Sequence, residues 1–494
     1  MNSSETRNRL FEKFNLFILL YVAIFALIPI ITRNVIPFDM VENLYWGKEW
    51  QLGYAKHPPL FAWISQAFFK ICFSIPESLY VLTQLNLLVG LYFIFKITQL
   101  IYADEKKSYA AVFIFMSSAA AVFGNEKFNA TTILMSLLPA IFYYFLKMLK
   151  FEQKKDAVLL GIFAALAFIG KYIALLFLGC MGIFLLAHKE YRKIFKTPLP
   201  YITVAVFLLG ISWHLWWMYE SNFITFQYAL EKSALAEKSP LFALHFLVMT
   251  ILFFATSFLA ACFAFSPTSK NFVNRLKFVN FSHRIGAFYS KEEQFIIMIT
   301  LAPSVILFLL ALCTGMRIGS FWSVCMMMTL GTYLVVINKN FLDIDSLFKF
   351  TKYITCFFAA ILLMKLTLVR EILKNSHPKY AVNYRATSRL IENDYNRLFP
   401  NEKIQNIIAD KTTMPLHLYL KDSPTCYNSK TCKAQRLFAN KEERTQNQIV
   451  SFVYKNGDNT LEKFHKIYND DIIFENESKI CGEWILHYAF LKNR

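Results

Sequence analysis

Two carboxylates and two cations lie close together in a short stretch near the N-terminus. Asp39 and Glu42 are three residues apart, so a helix would place both on one face. Lys56 and His57 follow beyond a glycine at position 53. A carboxylate that accepts a proton, close to a cation that holds a phosphate, suits group transfer from a lipid phosphate. The same residues also suit an amphipathic loop at a membrane interface, with an ion pair and contacts to anionic lipids. Their types and spacing alone leave both interpretations open.

The segment 32–78, which carries these residues, has the composition of a membrane interface. Its tryptophans and tyrosines include Tyr45, Trp46, Trp50, Tyr54 and Trp63. Pro58 and Pro59 forbid one continuous helix and are well placed to start a new one at Leu60. The sequence therefore predicts a short helix over 39–51, a turn, and a second interfacial helix over 58–73.

Long apolar blocks must position this segment. The 494 residues are 56% hydrophobic and 17% charged, and the mean hydropathy is +0.38. These values exclude a disordered chain, a collagen, a disulfide scaffold and an ordinary soluble enzyme. A membrane helix needs roughly 20 mostly apolar residues, which predicts a mainly α, polytopic bundle of about eleven spans. The predicted spans are Phe14–Ile31, Leu79–Leu100, Tyr109–Phe123, Thr131–Leu149, Ala157–Gly170, Ile173–Ala187, Leu199–Met218, Phe242–Phe265, Phe295–Cys313, Phe321–Ile337 and Tyr353–Val369.

Basic residues in the short loops predict the orientation. They fall on one side of the membrane if the N-terminus is cytoplasmic, and an odd number of spans then puts the C-terminal tail outside. The formal net charge of +18 is explained by these loops, so nucleic-acid binding is not predicted. Two domains are expected: a transmembrane domain over 1–369 and a small α/β domain over 370–494, with strands near 404–409 and 449–454. In this tail, Cys426 and Cys432 are close enough for a disulfide, although a free pair fits equally well.

Four further polar residues lie in loops between spans on the predicted outer side. Lys127 and Asn129 lie in one such loop, Lys171 follows Gly170 in the next, and Arg317 occupies a short turn. Each cation can hold a phosphate, and Arg317 can do so through two parallel hydrogen bonds. Each can also simply anchor a helix end by reaching the lipid headgroups.

The first motif resembles a known family. The pattern D-x-x-E-x-x-Y-W, followed by G-Y-x-K-H-P-P-L-x-x-W over Asp39–Trp63, is similar to the first extracytoplasmic loop of bacterial glycosyltransferase family 39. This is the dolichyl-phosphate-mannose-protein mannosyltransferase-like group of the GT-C fold. It includes the transferases that add aminoarabinose to lipid A and galacturonic acid to lipid A or core. The segments K-F-N-A-T-T-I-L (127–134) and G-K-Y (170–172) also resemble parts of that family.

The resemblance implies an inverting sugar transfer. The sugar leaves a polyprenyl phosphate and joins an acceptor at the outer face of a bacterial inner membrane, with lipid A or the lipopolysaccharide core as the expected acceptor. The base is Asp39 with Glu42 as the second acid. Relatives that read D-E-A-x-Y-W leave the choice between these two carboxylates open, and Asp39 is preferred. A histidine intervenes between the lysine and the prolines here, so Lys56 and His57 share the role of the family's phosphate-binding lysine.

The remaining site residues fall into two groups. Residues expected to bind the donor phosphate are Lys56, His57, Lys127, Lys171 and Arg317, and residues expected to contact substrate are Tyr45, Trp46, Tyr54 and Asn129. No cofactor is predicted, because neither a nucleotide fingerprint nor a metal-ligand spacing such as C-x-x-C or H-E-x-x-H occurs. A divalent cation held by Asp39 and Glu42 is chemically conceivable, although the family does not usually require one.

Two rival functions remain, and a third possibility is a family member that has lost activity and only binds lipid. Protein O-mannosylation shares the donor chemistry and differs in taking a serine or threonine acceptor. A lipid-linked sugar flippase would involve no chemistry, and it predicts intramembrane charges, inverted repeats and broken helices near the bilayer midplane. The carboxylates of this chain lie in an outside loop instead, which favours an enzyme.

Overall fold

A computed structural model describes most of the chain, and the fold it shows is mainly α-helical with one small sheet. The described residues are 3–234, 237–266, 289–319, 321–338, 342–373, 377–427, 448–455, 457–481 and 483–491. Cys432 lies outside these ranges, so the predicted alternatives for Cys426 and Cys432 stay open.

The helices cover most of the first 400 residues. In chain order they are α1 (Ser3–Thr32), α2 (Phe38–Glu49), α3 (Leu60–Ile71), α4 (Ser78–Tyr102), α5 (Glu105–Met116), α6 (Ala119–Val122), α7 (Leu134–Phe151), α8 (Lys154–Gly170), α9 (Ala174–Ala187), α10 (Leu199–Glu220), α11 (Ile224–Ala234), α12 (Leu241–Phe265), α13 (Lys291–Thr314), α14 (Trp322–Met326), α15 (Leu330–Ile337), α16 (Ile344–Leu373), α17 (Tyr384–Leu398), α18 (Leu416–Tyr419) and α19 (Thr460–Tyr468). Every predicted span coincides with helix, which confirms the mainly α architecture.

Among the described residues, six helices are long and apolar enough to cross a membrane: α1 from Arg7 onward, α4, α7, α10, α12 and α13. Two predicted spans are broken: 109–123 divides into α5 and α6, and 321–337 into α14 and α15. The serine pair 117–118 interrupts the first, and both hydroxyls bond backbone carbonyls of the preceding turn. The chain is a multi-pass membrane protein, and the count of eleven spans stays a prediction.

The chain forms two compact units, and neither is continuous in sequence. The first unit is Met1–Ile28, Trp46–Cys72 and Ser78–Ala360, and the second is Pro29–Tyr45, Phe73–Glu77 and Ile361–Arg494. The predicted domain boundary at residue 370 remains a prediction.

Small residues let the helices of the first unit approach closely. A Cβ on Gly331 would lie 1.9 Å from the carbonyl oxygen of Ala111, so only glycine allows α15 to pack this near α5. The hydroxyl oxygens of Thr98 and Thr332 are 2.9 Å apart and link α4 to α15. Hydroxyl pairs of this kind satisfy polar groups where water is excluded.

The two interfacial helices form nearly as the sequence predicts. Helix α2 begins one residue before the predicted start, and α3 begins at Leu60, directly after the proline pair. Pro59 is the N-cap residue of α3, and its carbonyl accepts hydrogen bonds from the amides of Ala62 and Trp63. A proline at this position costs no helical hydrogen bond, because the first turn has no acceptor for its missing N–H.

The second unit contains a mixed five-stranded sheet. Its strands are β1 (Asn406–Ala409), β2 (Thr425–Tyr427), β3 (Gln448–Lys455), β4 (Ile472–Cys481) and β5 (Trp484–Leu491), in the spatial order β2-β1-β3-β5-β4. Strand β1 pairs in parallel with β2 and β3, whereas β5 is antiparallel to β3 and β4. β1 and β3 fall where strands are predicted, which confirms a small α/β domain. Its core joins side chains of β3, β5 and α19: Val450, Phe452, Tyr454, Phe464, Tyr468, Ala489 and Leu491.

Candidate active site

The candidate base residues lie at the start of α2, in the part of that helix that belongs to the second unit. Asp39 is in the first turn and half-buried, and Glu42 one turn later is only 7% exposed. The carbonyl of Pro37 accepts hydrogen bonds from the amides of Met40 and Val41, which starts the helix. A carboxylate in the first turn is stabilised by the positive end of the helix dipole. Asp39 is thus the more accessible of the two acids, as a group that takes a proton from a substrate must be.

Tyr45 lies two turns further along α2 and is also in the second unit. It is 7% exposed, and its ring lies edge-on to the imidazole of His417 at 6.2 Å. The sequence gives no signal for this pairing, because His417 lies more than 370 residues away. Tyr45 is therefore packed in the core of its unit, and its predicted contact with substrate is untested.

Trp46, Tyr54, Lys56 and His57 come together around a tight turn in the first unit. The rings of Trp46 and Tyr54 stack at 5.4 Å, and the Tyr54 hydroxyl donates to the Trp46 carbonyl at 2.6 Å. Burial raises the pKa of Tyr54 well above its usual range, so this hydroxyl stays protonated. The Lys56 ammonium lies 5.5 Å from the Trp46 ring, and the imidazole of His57 is edge-on to it at 6.4 Å. The Trp46 ring thus lies beside two of the predicted phosphate-binding residues, Lys56 and His57.

The backbone of this turn is fixed from several directions. The amides of Tyr54 and His57 each donate to the other's carbonyl, at 3.1 and 3.3 Å. Thr225 in α11 donates its hydroxyl to the Tyr54 carbonyl at 3.1 Å. A Cβ on Gly53 would lie 2.2 Å from the ring of Trp217, so only glycine fits next to this indole. The cations are consequently carried by a rigid loop, which limits the entropy lost on binding a ligand.

His214 has a positioning role that the sequence does not indicate. Its ring is fully buried in α10, with Nδ1 2.8 Å from the Leu52 carbonyl and Nε2 2.9 Å from the Tyr172 hydroxyl. The aromatic cluster at the end of α10 suggests an aromatic belt, and the histidine is expected to be packed rather than to bind a ligand. The structure agrees that it is packed and adds that it connects the 52–57 turn to the Gly170–Tyr172 segment.

A second group of predicted residues surrounds the loop between α6 and α7. The Asn129 side chain accepts hydrogen bonds from the amides of Thr131 and Thr132, at 2.9 and 3.1 Å. Lys171 donates to the Thr131 hydroxyl at 2.5 Å, and its ammonium lies 4.5 Å from the Trp322 ring. Asn129 therefore shapes the loop, and Lys171 is bound to the same loop by a hydroxyl.

Lys127 reaches the same place as Lys171. Its ammonium lies 6.0 Å from the ring of Phe321, the residue that precedes Trp322 at the start of α14. Two cations predicted separately from the sequence are thus brought together around adjacent aromatic residues. The sequence analysis does not predict a role for Phe321 or Trp322. The only sequence feature that points to them is their position shortly after Arg317.

Arg317 lies in the turn between α13 and α14 and is exposed. The guanidinium is 5.7 Å from the ring of Phe242, at the start of α12. The carbonyl of Gly315 in this turn accepts a hydrogen bond from the Ser239 amide at 2.9 Å. Arg317 thus belongs to the same turn region as Phe321 and Trp322.

The five predicted phosphate-binding residues thus lie in the first unit, and both carboxylates lie in the second unit. A cation in contact with an aromatic face or a hydroxyl can also stabilise an anion. Within the described part of the chain, no three His, Cys, Asp or Glu side chains form a group that could hold a metal ion. The absence of a metal cofactor stays a prediction.

Comparisons with known proteins agree with this architecture. Residues 56–217 match the family model described as dolichyl-phosphate-mannose-protein mannosyltransferase. This range includes Lys56, His57, Lys127 and Lys171, whereas Asp39 and Glu42 precede it. No curated protein matches the chain.

Two solved structures share the fold almost from end to end. One is ArnT from Cupriavidus metallidurans bound to undecaprenyl phosphate, with 10% sequence identity, a TM-score of 0.61, and coverage of 96% of this chain and 97% of that one. The other is the same protein in the apo state, with 10% identity, a TM-score of 0.60, and coverage of 96% and 98%. Residues 56–217 thus resemble the dolichyl-phosphate-mannose-protein mannosyltransferase family, and the chain as a whole shares the fold of these two structures.

Proposed function

We propose that this protein transfers a sugar from a polyprenyl-phosphate-linked donor to an acceptor at the outer face of the bacterial inner membrane, with inversion. The acceptor is lipid A or the lipopolysaccharide core. One observation supports the donor class above all: the segment that matches a family named for a lipid-phosphate sugar donor holds four of the five predicted phosphate-binding cations. A structure of the same fold is bound to undecaprenyl phosphate, which supports the same donor chemistry.

The proposed step has a simple balance. The acceptor hydroxyl attacks the anomeric carbon and loses its proton to the Asp39 carboxylate, as the bond between that carbon and the phosphate oxygen breaks. The electron pair of the broken bond remains on the polyprenyl phosphate, which leaves as an anion. Lys127, Lys171, Arg317, Lys56 and His57 stabilise the developing negative charge. No general acid is required for the leaving group, so one carboxylate suffices, in contrast to glycoside hydrolysis.

A direct assay tests this proposal. The purified chain is incubated in detergent with undecaprenyl-phosphate-linked sugars and with lipid A, and the products are read by mass spectrometry. Addition of one sugar to lipid A, lost in Asp39→Asn, is the expected result. If no sugar reaches lipid A or core from any such donor, the acceptor assignment is rejected.

A second acceptor class is favoured by the description of the matched family, which names protein mannosyltransferases. The same assay with secreted proteins or serine- and threonine-rich peptides separates the two. Sugar found on peptide and not on lipid would establish protein O-glycosylation. In proteoliposomes that contain the purified chain, donor lipid that moves between leaflets without forming a product would instead favour the flippase.

A further inference from the structure

The second unit contains a cavity of about 460 Å³ that no local sequence pattern indicates. Its lining runs along the end of α1 and the following segment, the last turns of α16, and two loops of the sheet domain. The lining residues are Thr32, Arg33, Asn34, Val35, Ile36, Pro37, Phe38, Lys365, Leu366, Arg370, Lys379, Tyr380, Tyr384, Lys411, Thr412 and Pro415. Five of them are cations, and among these described lining residues none is acidic.

One of the five cations has a structural role. The Arg370 guanidinium donates to the Thr32 carbonyl at 3.0 Å and to the Asn34 side chain at 3.1 Å, and it lies 3.3 Å from the Glu371 carboxylate. It thereby satisfies a carbonyl at the end of α1, where a helix lacks internal partners. Arg370 therefore fixes the wall of the cavity, and its charge is partly neutralised by Glu371.

Two lysines are held so that their ammonium groups remain available. The Lys379 ammonium lies 4.8 Å from the Tyr380 ring, and that of Lys411 lies 4.9 Å from the Phe38 ring. Contacts with aromatic faces orient an ammonium without cancelling its charge. Both rings also belong to the cavity wall.

The loop that carries Lys411 is rigid. The neighbouring Asp410 carboxylate accepts hydrogen bonds from the amides of Thr412 and Thr413, at 2.8 and 2.7 Å, and from Val453 at 3.2 Å. Tyr384 donates its hydroxyl to the Thr412 carbonyl at 2.8 Å. The only carboxylate next to Lys411 in sequence is thus occupied by backbone amides and is not part of the cavity wall.

The location of the cavity indicates a lipid ligand. Thr32 is the last residue of a candidate membrane span and also the first lining residue, so the cavity begins where a span ends. Anionic headgroups lie at this level of a bilayer and attract clustered lysines and arginines. The wall also includes apolar residues such as Ile36, Pro37 and Leu366, which suit the less polar part of an amphiphile.

We propose that this cavity binds the phosphate group of an anionic lipid, and that this lipid is the acceptor. The second half of this statement rests on the proposed function. Phe38 lines the cavity and Asp39 follows it directly in α2, within the same unit. A phosphorylated acceptor anchored by Lys379 and Lys411 is thereby held next to the candidate base, and an acceptor without phosphate is not.

The test measures lipid binding by the full-length chain without any sugar donor. Protein in detergent with excess phosphatidylcholine is mixed with lipid A, dephosphorylated lipid A or undecaprenyl phosphate, and bound lipid is counted by native mass spectrometry. The double variant Lys379→Gln/Lys411→Gln should bind lipid A about 10- to 30-fold more weakly, because each headgroup-level lysine contributes roughly fivefold. Dephosphorylated lipid A should bind the wild-type protein as weakly as lipid A binds the double variant. Lys466→Gln, an exposed lysine of α19, is the matched control and should bind like wild type.

Several outcomes would overturn the proposal. Unchanged lipid A binding in the double variant would remove the cavity as a phosphate site. Weakened binding of undecaprenyl phosphate with lipid A unaffected would assign the cavity to the donor. Displacement of lipid A by millimolar inorganic phosphate would assign it to free phosphate.

A charge-preserving variant separates the loss of charge from misfolding. Lys379→Arg/Lys411→Arg keeps both charges and should bind lipid A like wild type. Wild-type binding should also weaken as the salt concentration rises. Because no donor is present, the transfer assay can fail while this binding persists. That combination would reject the proposed function and leave the lipid site intact.

Discussion

The lysines near the two ends of α8 have different kinds of partner. At the N-terminal end, the Lys147 ammonium lies 3.0 Å from the fully buried Asp156 carboxylate, so the two charges neutralise each other. Just beyond the C-terminal end, Lys171 contacts the Thr131 hydroxyl and the Trp322 ring. A hydroxyl and an aromatic face together orient this ammonium, which suits a phosphate-binding group.

The second unit also contains charged groups in both kinds of environment. Arg385 lies 2.8 Å from Glu77, whereas the cavity beside α1 is lined by five basic residues. In the first unit, the predicted site cations Lys56, Lys127, Lys171 and Arg317 all lie near aromatic rings.

The largest expected effect is on the step that uses a carboxylate. Asp39→Asn keeps the size of the side chain and removes the base, so we expect kcat to fall about 10²- to 10⁴-fold. Glu42→Gln should cost less, because Glu42 is nearly buried. Both are measured as initial rates of sugar transfer, with thermal unfolding as the check on folding. A large loss in Glu42→Gln with near-normal activity in Asp39→Asn would move the base to Glu42.

The next effect concerns the packing of the first unit. Gly331→Ala places a methyl group 1.9 Å from the Ala111 carbonyl oxygen, so α15 must shift away from α5. We expect destabilisation of about 1–3 kcal/mol, typical of overpacking, measured by thermal or denaturant unfolding in detergent. Gly182→Ala in α9 is the control, because a Cβ there meets nothing within 4 Å. Equal unfolding temperatures for the two variants would contradict the close approach.

Lys171 tests whether a cation on an aromatic face serves the donor. Lys171→Met retains most of the volume and removes the charge, and we expect the KM for the polyprenyl-phosphate donor to rise about 10- to 150-fold, because a charged hydrogen bond contributes about 1.5–3 kcal/mol. Lys154→Met, an exposed lysine at the first position of α8, is the matched control and should leave KM unchanged. A purely structural lysine would lower the unfolding temperature without changing KM.

The smallest effect is a pH dependence confined to the sheet of the second unit. Burial lowers the pKa of His487 below 6.5, against the opposing influence of Glu477 and Glu475. Between the folded and the unfolded pKa, the unfolded chain binds more protons, so stability rises with pH and is lost on acidification below about 6.5. The change is at most about 1.4 kcal/mol per pH unit.

Hydrogen exchange of the β3 and β5 amides between pH 7.5 and 5.5, corrected for intrinsic rates, measures this local stability. His487→Phe should flatten the dependence, and the exposed His377→Gln should leave it unchanged. An identical pH profile in wild type and His487→Phe would show that other groups are responsible.

The sequence by itself determined the elements. Long apolar blocks specify spanning helices, because a backbone in lipid must bond to itself. The proline pair specifies where α3 begins, and short apolar runs locate β1 and β3. The candidate base is also assigned from the sequence, because Asp39 lies in a dense local motif, and that assignment stays a prediction.

Only the tertiary structure decided which distant residues meet. The meeting of Lys127 and Lys171 near Phe321 and Trp322, and the link between His214 and the 52–57 turn, join residues up to about 190 positions apart. The cavity lined by Lys379 and Lys411 joins residues more than 370 positions apart. Local patterns carry no information on such contacts, because they depend on how whole helices pack and on which small residues allow them to approach.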